Sequence, residues 1–166
     1  MKSIDTLKPP SLVTIKGLAN DRFLTKDANM SVGEVYTAEI DKEQPSNALA
    51  DFFHVLVNNG YAIRESQLFA SLSLTYCKGS VQPHYDEGFG LTALWLVSVK
   101  PLHKHQREFY PEKPLLYSSK QWLDVRLGEI IVFDTDKEHA WLSNYHCSMI
   151  MQTVKRVRRT RRVESN

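Results

Sequence analysis

The stretch Tyr76-Cys77-Lys78-Gly79-Ser80-Val81-Gln82-Pro83-His84-Tyr85-Asp86 carries the pair on which the reading of this chain turns, His84 and Asp86. In an extended segment residues i and i+2 point to the same face, so this spacing presents an imidazole and a carboxylate side by side. A third group, His139, comes well downstream, just beyond the apolar run Gly128–Phe133. Two imidazoles and one carboxylate on one face, with the other positions open, form the facial triad that holds non-haem Fe(II). Taken alone, a His-x-Asp pair fits a surface loop or a hydrogen-bonded core pair equally well, so the surrounding sequence has to decide.

Around the pair, Leu68–Tyr76 alternates apolar and polar residues from Ala70 onward. Leu91–Val99, Gly128–Phe133 and Cys147–Val154 are continuous apolar runs of strand length, rich in Val, Ile, Leu or Thr and separated by polar loops. Ser118–Trp122 has room for a single helical turn. Upstream, Val13–Ile15 and Val35–Ile40 are short β-branched runs, while residues 1–11 and Ala19–Val32 read as irregular. One helix is predicted, from an N-cap at Ser46 to about Asn59. Leu49, Phe52, Phe53, Leu56 and Val57 form its apolar stripe, and Gly60 stops it. The predicted class is α+β, mainly β, with a sandwich or barrel following an N-terminal helix-containing part.

A chain of 166 residues suits one domain with a sizeable core, and 42% hydrophobic with 24% charged residues argues against disorder. The expected domain is 1–154, with its core at 61–154. Two cysteines, Cys77 and Cys147, cannot build a disulfide framework, which points to a reducing cytoplasm. No apolar run approaches the ~18–20 residues of a membrane-spanning helix, and MKSIDTLKPP lacks the apolar centre of a secretory signal. Charge is unevenly placed. Lys155, Arg156, Arg158, Arg159, Arg161 and Arg162 crowd the tail 155–166, and the remaining basic residues are outnumbered by the 19 acidic ones. Lys155–Arg162 could grip nucleic-acid phosphates or an acidic partner, or serve as a solubilising terminus.

The segment Tyr76 to Asp86 resembles the approach to the metal site of prolyl-hydroxylase-like Fe(II)/2-oxoglutarate-dependent dioxygenases, where a Tyr, a Gly and a Pro precede the His-x-Asp pair in similar order. Leu91-Thr-Ala-Leu-Trp-Leu96 resembles that family's next core strand. Leu127-Gly-Glu-Ile-Ile-Val-Phe133 with His139-Ala140 resembles its later strand and distal histidine. The resemblance spans Leu72–Val154 and implies a double-stranded β-helix, or jelly roll, with Fe(II), 2-oxoglutarate and O2 at its mouth and ascorbate as a candidate reductant. It implies a dioxygenase that hydroxylates a C–H bond, with His84, Asp86 and His139 as ligands and Tyr76 on the cosubstrate. That family usually has a Lys or Arg about ten residues after the distal histidine. Here Cys147-Ser148-Met149-Ile150 offers no cation, so Arg156 is the first candidate for that role, with Lys155, His146 and Ser148 as others.

Substrates implied by the resemblance are peptides and proteins, nucleobases or small molecules, and the basic tail favours a macromolecule. Trp141 and His103 are the candidate substrate contacts, Trp141 following the distal histidine and His103 lying in an inter-strand loop. Otherwise Trp95, Trp122 and Trp141 read as core, and His103 and His105 as surface residues. A Cys147–His146 hydrolase is disfavoured, since adjacent strand residues face opposite ways. The competing function is a non-catalytic jelly-roll metal-binding protein that acts through a partner or nucleic acid, supported by the missing cation.

Overall fold

Strand geometry sends successive side chains of the apolar runs to opposite sides, and both sides are buried. The computed structural model describes residues 4–7, 30–40, 47–63, 72–86, 88–107 and 114–157. In chain order the strands are β1 (Ile4–Leu7), β2 (Val35–Glu39), β3 (Tyr61–Ile63), β4 (Leu72–Lys78), β5 (Val81–His84) and β6 (Leu91–Pro101). They continue with β7 (Leu115–Ser118), β8 (Gln121–Asp124), β9 (Ile130–Asp134), β10 (His139–Leu142) and β11 (Tyr145–Arg156). Helix α1 (Asn47–Asn58) lies between β2 and β3.

Two antiparallel sheets result. The larger runs β1-β9-β6-β11-β4-β2, with β3 also on β11, and the smaller runs β5-β10-β7-β8. From β4 onward the chain passes back and forth between them, so β4, β6, β9 and β11 face β5, β7, β8 and β10 across the interior. That winding of eight strands into two sheets is a jelly roll, as the resemblance implied.

On the larger sheet, Leu74, Tyr76, Trp95, Ile130, Val132 and Ile150 point outward and pack against Phe52 and Leu56 of α1. Their neighbours Cys77, Leu94, Leu96, Ile131, Phe133 and Met149 point inward, toward Leu116 and Trp141 of the smaller sheet. Double burial explains why these strands read as unbroken apolar runs.

Three expectations change. Residues 4–7 are not irregular: β1 pairs along β9, from Ile4 opposite Phe133 to Leu7 opposite Ile130. A four-residue strand stabilised by a distant partner leaves no local signal. Ser118–Trp122 is a hairpin turn instead of a helical one, because Ser119 and Lys120 both take positive φ, 51° and 63°, the pattern of a two-residue turn that matches strand twist. Trp122 is exposed on that hairpin, its ring 5.0 Å from Tyr117, and is no part of the core. Val13–Ile15, Ser46 and Arg158–Arg162 lie outside the described residues. Lys155 and Arg156 belong to β11, opposite Ala62 and Tyr61. Among the described residues no helix is long and apolar enough to cross a membrane.

Candidate metal centre

β5 and β10 are neighbours in the smaller sheet, and their register sets His84 directly opposite His139. The two rings lie 4.2 Å apart. Asp86 is not on the strand with His84 but in the loop that follows, where its amide donates to the Thr135 carbonyl at 2.8 Å. This loop then turns through Gly88 and Gly90, at φ +91° and +66°, values that favour glycine. Asp136 secures it: its Oδ1 accepts from the amides of Gly88 (2.8 Å) and Gly90 (3.3 Å). The segment between β9 and β10 therefore carries His139 at its end and fixes the Asp86 loop along its length.

The three side chains offer ligand atoms that all lie within 4.8 Å of one another. His139 Nε2 is 3.1 Å and His84 Nε2 3.5 Å from the same oxygen, Asp86 Oδ2. Both Nδ1 atoms are already committed. His84 Nδ1–H donates to the Gln82 carbonyl at 2.7 Å, and His139 Nδ1–H to the Lys137 carbonyl at 2.8 Å. A carbonyl can only accept, so in each neutral ring Nε2 is the lone-pair nitrogen. Two such nitrogens and a carboxylate converging on one point call for a shared cation, either a metal ion or a proton on Nε2 donated to Asp86 Oδ2. Donors sharing an ion through bonds of about 2.1 Å sit about 3 Å apart when adjacent, so the donor set and its spacing fit a divalent metal ion. The main-chain carbonyls behind both rings supply the orienting contacts that metal-bound histidines use.

His84 and Asp86 are 40% and 45% exposed, whereas His139 is 8% exposed. The cluster thus opens to solvent on one side. On the other it borders a cavity of about 330 Å³ between the sheets, walled by inward residues such as Cys77, Leu94, Phe133 and Met149. A second lobe of about 220 Å³ shares Thr37, Thr75, Asp86 and Met151 with the first and adds Thr92 and Thr135.

The other site residues expected from the sequence are not all brought here. Trp141 does line the larger lobe, as a buried side chain. Tyr76 and Ser148 sit opposite each other on β4 and β11, and Tyr76 packs in the outer layer beneath α1, on the far side of the sheet from the metal cluster. Arg156 is further along β11, its guanidinium 5.4 Å above the Tyr61 ring. None of the three lines either lobe. The alternation that turns Cys77, Met149 and Met151 inward turns Tyr76 and Ser148 outward. His103 precedes a 3-10 turn at Lys104–Gln106, exposed and stacked 5.7 Å from His105, and also lines neither lobe. Asp136 was missed. Its signal is an Asp three residues before the distal histidine, but the loop it holds is remote in sequence.

Asp136→Ala is expected to lower divalent-metal affinity about 10–100-fold, the usual cost of losing a supporting contact behind a metal ligand. The circular dichroism spectrum should not change. Metal titration followed by tryptophan fluorescence checks this, and unaltered affinity would mean that the loop holds itself.

Cys77 and Cys147 face each other across β4 and β11. Burial, and then the neighbouring Cys147, push the Cys77 thiol up to about 12. Burial raises Cys147 to about 11 against the opposing effect of its hydrogen bond with Ser143. An unfolded thiol titrates near 8.5, so between about pH 9 and 11 the folded chain holds protons that the unfolded chain has lost. Stability therefore falls as pH rises through that window, by about 1.4 kcal/mol per pH unit for each thiol. The expected result is a Tm that drops across pH 9–11 in the wild type and drops less in a Cys77→Ala, Cys147→Ala double variant. Equal slopes would assign the loss to other groups.

No family model matches the chain, and no curated protein matches it. Among solved structures it is similar to a prolyl-4-hydroxylase of Pseudomonas putida, at 13% identity over 95% of this chain and 94% of that one, with a TM-score of 0.51. It is also similar to a cupin superfamily protein of Desulfitobacterium hafniense, at 13% identity over 92% and 98% of the chains, with a TM-score of 0.41. At that identity the likeness to the hydroxylase is one of fold, and it agrees with the jelly roll traced above. Fold and site together define a jelly-roll protein with a His-Asp-His cluster able to hold a metal ion.

Proposed function

We propose that the protein is a mononuclear non-haem Fe(II) dioxygenase that uses O2 and a 2-oxo acid to hydroxylate a C–H bond, with His84, Asp86 and His139 as the ligands. The observation that carries this reading is the convergence of two lone-pair Nε2 atoms and one carboxylate, open both to solvent and to an internal cavity. Three protein ligands with open positions suit iron that must also bind a cosubstrate and oxygen. When bound, iron supplies the redox chemistry by which one oxygen atom enters the 2-oxo acid as it loses CO2 and the other enters the substrate C–H bond.

The chain's own part is to hold and to orient. The Gln82 and Lys137 carbonyls fix both rings, Asp136 fixes the Asp86 loop, and the larger lobe gives one side of the centre a largely apolar wall. Tyr85 and Phe89, both exposed, flank Asp86 at the mouth, where a substrate would approach. A macromolecular substrate, protein or nucleic acid, is in keeping with that open mouth and with the basic segment Lys155–Arg162.

Anaerobic addition of Fe(II) and then of a 2-oxo acid should produce the visible charge-transfer band of bidentate chelation, and His84→Ala should abolish it. Metal uptake with no band from any 2-oxo acid would favour the competing reading, a metal-binding protein without turnover.

A further inference from the structure

Among the described residues the space beside the metal cluster is lined by no cationic side chain, and this bears on what can share the metal with the three side chains. The larger lobe is walled by Val81, Leu94, Leu116, Phe133, Trp141 and Met149. Among the described residues no Lys or Arg lines either lobe. The smaller lobe offers hydroxyls instead, and three of these are already engaged. Thr37 Oγ1 lies 3.1 Å from Thr75 Oγ1, and Thr135 Oγ1 donates to the Gly90 carbonyl at 2.8 Å.

A dicarboxylate that chelates through its keto-acid end places its second carboxylate in one of these lobes or out at the solvent-facing mouth. An ionised carboxylate taken out of water needs a cationic or multiply donating partner, and the largely hydrocarbon wall of the larger lobe supplies neither. The far end of 2-oxoglutarate is therefore a poor fit to the larger lobe as the described residues form it, although a metal ion fits the three side chains beside it well. The same wall suits a hydrocarbon group, which gains by leaving water. The sequence agrees, since the inward positions of β11 nearest the centre are Cys147, Met149 and Met151.

Resting on the oxygenase reading above, we propose that the 2-oxo acid used at this centre is a monocarboxylate with an uncharged hydrocarbon tail, and that the tail occupies the apolar lobe against Met149. The smaller lobe and the mouth are then left for the group to be hydroxylated.

The test uses the full chain loaded anaerobically with Fe(II) and titrated separately with 4-methyl-2-oxopentanoate and 2-oxoglutarate, reading the charge-transfer band. The branched monocarboxylate should half-saturate at a concentration at least about tenfold lower, equivalent to about 1.4 kcal/mol. Met149→Arg places a guanidinium in the lobe and should reverse the order, whereas Met149→Leu should preserve it. Equal or tighter binding of 2-oxoglutarate by the wild type would overturn the proposal and leave the oxygenase reading in place. The wild-type comparison decides even if Met149→Arg fails to fold. Failure to take up Fe(II), or uptake with no band from either acid, would overturn the oxygenase reading itself, so the two failures are distinguishable.

Discussion

His139→Ala should lower Fe(II) affinity by more than about 100-fold, beyond the 10–100-fold that loss of a supporting contact costs, while the chain still folds. Two features place this residue above its partners, and a third it shares with His84. It is the buried member of the cluster, its Nε2 makes the shorter approach to Asp86 Oδ2, and its Nδ1–H is held by the Lys137 carbonyl. An ion that loses this ligand keeps two donors on half-exposed residues that water can reach. Alanine also leaves a gap beside Phe133, whose ring centroid is 5.5 Å from that of His139, so a stability loss of about 1–2 kcal/mol is expected as well. Calorimetric titration with Fe(II) under anaerobic conditions, paired with a thermal melt of the metal-free chain, separates the two effects. A melt shifted by that amount with affinity within tenfold of wild type would remove His139 from the ligand set. Asp136→Ala should fall between wild type and His139→Ala, since it loosens the Asp86 loop without deleting a donor.

Much of this arrangement was legible because the relevant strands are buried on both faces. Apolar runs such as Leu91–Val99 stand out without any knowledge of the partner strand, and they correspond to β6, β9 and β11. The helix was equally plain, since Leu49, Phe52, Leu56 and the stop at Gly60 are a local pattern. His84, Asp86 and His139 could be singled out by residue type and spacing, and the structure gathers them.

Facing direction was not legible. β4 and β5 lie in different sheets on either side of Gly79 and Ser80, so the parity of one says nothing about which face of the other looks inward. Tyr76 was expected at the site because it precedes His84 in order. One residue of alternation gives the inward place to Cys77 instead. Ser148 loses its place to Met149 in the same way. Contacts between distant loops were hidden as well. Asp136 holding Gly88 and Gly90, and β1 lying along β9, depend on chain segments that no sequence window contains together.

Phe52→Ala should be the most destabilising single change considered, and it should spare the metal centre. Phe52 is fully buried on α1, and its ring stacks 5.4 Å from Trp95 on β6 at an interplanar angle of 13°. Truncating a buried phenylalanine costs about 3–5 kcal/mol, because the transfer gain is lost and the cavity collapses only partly. Collapse is hindered here, since the surrounding Leu74, Ile130 and Ile150 are held by the strands of the larger sheet. Total stabilities of about 5–15 kcal/mol leave little margin, and a Tm loss of about 10 °C or more is expected. Val57, on the same helix but 60% exposed, is the control, and Val57→Ala should move Tm by no more than about 2 °C. Metal titration well below the lowered Tm should give wild-type affinity, because Phe52 packs on the outer face of the sheet and the cluster lies within. A Phe52→Ala protein that melts normally would mean α1 contributes little to the core. One that loses Fe(II) affinity while still folded would mean the outer layer sets the spacing of β5 and β10, against the separation of layers described here.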